Sequence, residues 1–236
     1  MIYAIIGPTG VGKTSLSIEL AKKLNAEIIN CDSMQIYKEL NIGTAKIRDD
    51  EMENIKHHML SIKSITEEYN AFNYQEEGRI ILNDLLKKNK NVVIVGGTGL
   101  YLKSLLYDYK FNDEDTKNEK LYDFKLIGLT RDRKKLYDII DNRVEKMIDD
   151  GLIEEVKYLY ENFKNSRILN TAIGYKEFIS FFEGFKTLEE VKDEIKKSSR
   201  HYAKRQYTFF NNQFSDINWF NVDEIKITDI VKKITE

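Results

Sequence analysis

Near the start of the chain, Gly7-Pro-Thr-Gly-Val-Gly-Lys-Thr14 sets Gly7 and Gly12 with four residues between them, followed at once by Lys13 and Thr14. This is the spacing of a phosphate-binding loop. Glycines let successive backbone N–H groups converge on phosphate oxygens, and the helix that follows adds positive potential at its N-terminus. Lys13 would bridge phosphates as a point charge, and the Thr14 hydroxyl would ligate Mg²⁺. The loop residues Gly7, Pro8, Thr9, Gly10, Val11, Gly12, Lys13 and Thr14 are therefore expected to hold a polyphosphate. The motif does not say which one.

Motor and switch enzymes built on this loop carry an Asp at the end of a further apolar strand. Here Val92–Val95 runs into Gly96-Gly-Thr-Gly99, with no acid, and no Asn/Thr-Lys-x-Asp element for reading guanine is present. A second cluster, Asn30-Cys-Asp-Ser-Met-Gln-Ile-Tyr37, follows the second apolar run. In an open α/β sheet, residues just past the strand ends line the ligand crevice. Asp32 would stand there as a general base or as an outer partner of the metal, unless it caps the next helix. Late in a long helical pattern, Lys196, Arg200 and Lys204 recur every four residues and share one face. That face suits an anionic phosphate or, failing one, plain solvent. His57-His58 has no nearby acid or thiol to complete a metal site, so a packing or turn role is expected.

The elements that must position these groups are legible as well. Apolar runs at Ile2–Ile6, Glu27–Cys31, Val92–Val95, Phe124–Leu129 and Ile217–Val222 read as strands. Helical patterns cover Ser15–Leu24, Tyr74–Lys88, Leu136–Met147, Leu152–Phe163 and Thr187–Phe210, the last opening on the capping box Thr187-Leu-Glu-Glu190. Alternating strands and helices predict an α/β fold: a central, mostly parallel sheet with helices on both faces, and extra helices towards the C-terminus. Six of the twelve glycines lie in the two loops at 7–12 and 96–99, where a backbone turns tightly or approaches a ligand closely.

Composition narrows the classes. The 236 residues are 42% hydrophobic and 32% charged, with a net charge of −2, which is enough apolar material for a core and argues against disorder. No apolar run approaches the ~18 residues needed to span a membrane, and Met1–Ile6 is too short for a signal peptide. One cysteine, Cys31, excludes an internal disulfide and a cysteine-rich zinc site, and a cytoplasmic setting is expected. The near-neutral balance means that any nucleic-acid partner must meet a local basic patch.

With these pieces placed, the chain resembles the tRNA dimethylallyltransferases, which prenylate N6 of the adenosine just 3′ of the anticodon. The resemblance rests on Gly7–Thr14, Asp32-Ser-Met-Gln35 with Ile36-Tyr37, Ile42-Gly-Thr-Ala-Lys46, His57-His58 and Gly96-Gly-Thr-Gly-Leu-Tyr101. It continues through Arg143-Val144, Gly151-Leu152, Glu155-Val156, Ala172-Ile-Gly-Tyr-Lys-Glu177, Arg200 and Ala203-Lys-Arg-Gln206. It implies a P-loop NTPase-like three-layer fold whose loop holds the diphosphate of dimethylallyl diphosphate. By the same resemblance Asp32 is the general base, Thr9 and Arg200 surround the leaving diphosphate, and Mg²⁺ sits at Thr14. Asp32, Ser33, Met34 and Gln35 would contact the tRNA, with Gln35 holding the target adenine and Thr98 at the tRNA end of the channel. A monomer acting on tRNAs that read codons beginning with U is implied.

One departure is large. Residues 1–236 read as a single catalytic domain, but only the polar connection 110–122 stands where the family carries a helical insertion that touches the anticodon stem. The shortened connection leaves catalysis intact and lessens the expected grip on tRNA. It keeps open an isopentenyltransferase acting on free AMP, ADP or ATP. A P-loop small-molecule kinase fits the first loop but leaves the second glycine loop and Arg200–Gln206 unexplained. A nucleotide-binding module without chemistry leaves Asp32 and Arg200 unexplained.

Overall fold

The computed structural model describes residues 1–111 and 119–236; residues 112–118, in the middle of the 110–122 connection, lie outside the described residues. In chain order the elements are β1 (Ile2–Ile6), α1 (Lys13–Leu24), β2 (Glu27–Asn30), β3 (His57–His58), α2 (Ala71–Lys87) and β4 (Val92–Val95). They continue with α3 (Gly99–Leu106), β5 (Phe124–Thr130), α4 (Arg133–Asp149), α5 (Leu152–Phe163) and the short α6 (Ile179–Phe182). The last are α7 (Leu188–Gln213), β6 (Asn218–Asn221) and α8 (Ile227–Thr235).

All six strands pair in parallel, in the order β3-β2-β4-β1-β5-β6. The sheet is thus wholly parallel where a mostly parallel one was expected. Such a sheet is covered on both faces, which explains why the β1 and β4 runs are continuously apolar. Successive strand residues feed opposite sides. Ile2, Ala4 and Ile6 pack with α2 and α3, whereas Tyr3 and Ile5 pack with α1, α4 and α8. A third core joins α4, α5 and α7 around Val144, Leu152, Val156, Val191 and Ile195. Each fully buried Leu, Ile or Val contributes about 1.5–3 kcal/mol of transfer free energy.

Register places the chemistry. Val95 lies beside Ile5 of β1 and Asn30 of β2, so the segments that follow these three strands leave the sheet at one level. They are the Gly7 loop, the Cys31-Asp32 segment and the Gly96 loop.

Boundaries move for local reasons. β2 stops before Cys31, whose N–H still donates to the Val95 carbonyl at 2.7 Å before Asp32 turns the chain. α2 starts at Ala71 because the Asn70 side chain accepts from the N–H groups of Phe72 and Asn73. The capping box at Thr187 forms as its residues imply, with Glu190 N–H donating to Thr187 Oγ1 and Thr187 N–H to the Glu190 carboxylate. His57-His58 is an edge strand on β2. The acid that the local sequence lacks arrives from β2 itself: His58 Nε2 lies 2.7 Å from Glu27 Oε2. Among the described residues no helix is long and apolar enough to cross a membrane.

Candidate active site

The phosphate loop is shaped by three left-handed glycines, Gly7, Gly10 and Gly12, at φ 144°, 79° and 109°. A Cβ on Gly7 would also lie 2.6 Å from the Leu129 carbonyl oxygen, so this glycine is fixed twice over. Lys13 turns its ammonium back onto the loop, donating to the carbonyls of Gly7 at 2.9 Å and Pro8 at 2.8 Å. Burial lowers its pKa to about 8, with Asp32 opposing the shift and Arg143 adding to it. Lys13 and Thr14 open onto a cavity of about 500 Å³ that also reaches Asp32, Gln35 and Arg143.

Asp32 both caps a turn and faces the crevice. Its Oδ1 accepts from the N–H of Met34 at 2.9 Å and of Gln35 at 3.4 Å. Those bonds fix the carboxylate's plane and leave Oδ2 outside the turn. Ser33 N–H donates to Thr98 Oγ1 at 3.0 Å, which ties this segment to the second glycine loop. Gln35 Nε2 donates to the Thr44 carbonyl at 3.1 Å, so Gln35 supports the 41–46 loop. That loop is held from below by Glu155, whose carboxylate accepts from the N–H groups of Asn41, Ile42 and Gly43 and from the Tyr175 hydroxyl.

Glycines 96, 97 and 99 are needed for close approach of protein, not for an unusual φ. A Cβ at Gly96 would meet the Cys31 carbonyl at 2.0 Å, at Gly97 the Gln206 amide at 2.1 Å, and at Gly99 the Phe209 ring at 2.2 Å. The close approach expected here was to a ligand; the structure shows approach to protein instead, to Cys31 just past β2 and to Gln206 and Phe209 of α7.

Arg143 on α4 was not singled out for a role by its type or spacing, yet it donates through Nη1 to Thr9 Oγ1 at 3.3 Å. Burial pushes its guanidinium below the ordinary range, with Asp32 opposing. Gln206 is also central, accepting from Thr9 N–H at 2.7 Å and donating to the Gly97 carbonyl at 3.0 Å. Neither contact has a local signal in sequence, because the partners lie more than a hundred residues apart.

Arg200 is placed differently. Its Nη1 lies 2.6 Å from both Asp141 carboxylate oxygens, and its guanidinium carbon sits 6.0 Å from the Tyr137 ring centroid. Lys196 pairs with Glu145, as does Lys192 at 2.6 Å. Of the predicted stripe, Lys196 and Arg200 are therefore turned onto acids of α4, while Lys204 is exposed. Arg200 does not line the cavity at the phosphate loop.

A second cavity, about 390 Å³, lies between α4, α7 and the 171–176 loop, with Ser33, Met34, Lys176, His201 and Arg205 at its wall. Thr9, Asp32, Thr44 and Arg143 line both cavities. An anion held by the loop and an acceptor entering from the α7 side would thus meet at Asp32.

Comparisons with known proteins bear on what meets there. The family model described as IPP transferase matches residues 35–121 and 110–213. The chain is 41% identical over 298 aligned positions to "tRNA dimethylallyltransferase" of Bacillus cytotoxicus, covering 99% of this chain and 94% of that one. It is 40% identical over 251 positions to the protein of the same name from Oenococcus oeni, covering 100% and 96%. Its fold is similar to the crystal structure of tRNA delta(2)-isopentenylpyrophosphate transferase from Staphylococcus epidermidis, with a TM-score of 0.92, 32% identity and coverage of 99% and 97%.

Proposed function

The chain belongs to the IPP transferase family, and we propose that it moves the dimethylallyl group of dimethylallyl diphosphate onto N6 of adenosine 37 in tRNAs reading codons that begin with U. The observation that carries this reading is the junction of the two cavities at Thr9, Asp32 and Arg143. The N6 lone pair attacks the allylic C1, the C1–O bond breaks, and its electron pair leaves with diphosphate. Asp32, with Oδ2 outside its turn, takes the N6 proton. Loop N–H groups, Lys13, Arg143 and the Thr9 hydroxyl receive the charge that develops on the leaving oxygens. Arg200 joins them on exchanging Asp141 for diphosphate. Ser33, Met34, Gln35 and Thr98 shape the acceptor side, where adenine arrives unstacked.

Mg²⁺ fits this site. Among the described residues no group of three or more His, Cys, Asp or Glu side chains is placed to hold a metal, so its ligands would be Thr14, diphosphate oxygens and water. When bound, the ion neutralises charge on the departing diphosphate. The protein is read as a cytoplasmic monomer.

Supporting the shortened connection at 110–122, the family model matches in two stretches that overlap at 110–121, and 298 aligned positions accommodate a chain of 236 residues. The same fact favours a second reading, prenylation of a free adenine nucleotide. Mass spectrometry of ribonuclease fragments from unmodified tRNA incubated with the protein, Mg²⁺ and dimethylallyl diphosphate tests the first. Prenylated adenosine confined to position 37 is expected.

A further inference from the structure

Gln206 lies on α7 and is only 4% exposed. Its carboxamide spans the two glycine loops. Oε1 accepts from Thr9 N–H at 2.7 Å, and Nε2 donates to the Gly97 carbonyl at 3.0 Å. A glutamine is the side chain that presents an acceptor and a donor side by side at this reach. The close approach also leaves no room for a Cβ at Gly97.

The backbone N–H of Thr9 is thereby committed to protein and its residue is fixed in place. From that fixed residue the hydroxyl accepts from Arg143. On the other side, the residue after Gly97 is Thr98, whose hydroxyl accepts from Ser33 N–H next to Asp32. One amide therefore sets the spacing between the group that meets the leaving diphosphate and the segment that carries the base.

We propose that Gln206 is a positioning residue for prenyl transfer, clamping Thr9 to Gly97 so that the leaving-group site and Asp32 keep their reactive separation. This rests on Gly7–Thr14 being the diphosphate seat. Geometry of this kind is felt in turnover more than in binding, because a small misplacement of reacting groups costs rate.

Two variants separate the clamp from packing. Gln206→Leu keeps size and loses both hydrogen bonds. Gln206→Glu reproduces the amide only when protonated, with C=O accepting from Thr9 and O–H donating to Gly97. Ionised, it sets an anion against the Gly97 carbonyl and beside the diphosphate seat. Burial raises the pKa of such a carboxyl. The titratable and charged groups on the same cavity are Lys13, Asp32, His57, Arg143 and Lys146, with Tyr202 on α7 itself. Wild type and variants share them all, so the activity ratio at each pH reports the new carboxyl.

Purified full-length protein is assayed for kcat and KM from pH 5.5 to 8.5, alongside thermal unfolding and calorimetric titration with Mg²⁺-pyrophosphate. Gln206→Leu is expected to lose about 10- to 100-fold in kcat, the scale of unmaking buried hydrogen bonds, at every pH, with pyrophosphate affinity changed less. The Gln206→Glu ratio to wild type is expected to rise as pH falls. A flat Gln206→Glu ratio, or near-wild-type kcat in Gln206→Leu, overturns the proposal. Lys13→Ala tells this failure from that of the diphosphate seat. Pyrophosphate binding retained in Lys13→Ala removes the seat and the clamp's purpose with it. Binding lost there, with Gln206 variants unaffected, removes the clamp alone.

Discussion

Arg143 on α4 donates to the Thr9 hydroxyl in the phosphate loop at 3.3 Å, joining residues 134 positions apart. The contact puts a half-buried guanidinium at the meeting point of the two cavities, beside Asp32. A cation so placed answers the charge that appears on diphosphate as the allylic bond breaks, in surroundings where water screens it little.

Arg143→Ala is accordingly expected to lower kcat by about 10²–10³, the usual scale for one preorganised charge-stabilising donor. Arg200→Ala should also lower kcat, and Asp141→Asn, which removes only the resting partner of Arg200, should leave it near wild type. Steady-state kinetics on the three variants checks this. If Asp141→Asn copies Arg200→Ala, the pair is structural and Arg200 does not meet the diphosphate.

The pKa of Lys13, lowered to about 8 by burial, gives a pH dependence with a definite sign. In the free protein Lys13 is charged below that value and neutral above it. Bound diphosphate favours the charged form and raises the pKa, so binding above pH 8 takes up a proton. Affinity for Mg²⁺-pyrophosphate should be level below pH 8 and fall above it by up to about one log unit per pH unit. Lys13→Met should weaken binding and flatten the profile. Calorimetry in two buffers of different ionisation enthalpy measures the proton uptake directly.

Asp32 carries a second expectation. Because Oδ1 is occupied by Met34 and Gln35 N–H groups, Asp32→Asn can keep the turn while losing the base. A fall of about 10²–10⁴ in kcat is expected, with pyrophosphate affinity little changed. A loss confined to Mg²⁺ or pyrophosphate binding would make Asp32 an outer partner of the metal.

The contacts between α4 and α7 bear on tRNA affinity. Lys192, Lys196 and Arg200 are engaged by Glu145 and Asp141, leaving Lys176, His201 and Arg205 at the wall of the acceptor cavity. Each duplex phosphate neutralised adds about −0.9 to the slope of log K against log salt. Binding should therefore be weaker, with a shallower slope, than for the Bacillus cytotoxicus relative, whose alignment extends over 298 positions. Filter binding at several salt concentrations gives both quantities, and equal values for the two proteins would refute the expectation.

What could be read in the sequence was local. The phosphate loop, Asp32 after β2 and the capping box at Thr187 are each specified within a few residues, and the parallel sheet by short apolar runs between helical ones. What could not be read was made by distant partners. Nothing near Arg143, Gln206 or Glu155 says that Thr9, Gly97 or the 41–43 backbone will meet them. The α7 stripe reads as a free basic face because Asp141 and Glu145 stand on another helix, half a hundred residues away. His57-His58 lacks an acid for the same reason, Glu27 being 31 residues upstream.

The central claim is that diphosphate chemistry at Gly7–Thr14 is delivered to a tRNA adenine at Asp32. It is tested most directly by giving the purified protein dimethylallyl diphosphate labelled in its allyl group, with unmodified tRNA in one reaction and AMP in another. Label in tRNA, released as prenylated adenosine from position 37, with none in AMP, is the predicted result. Label in AMP with none in tRNA would contradict it.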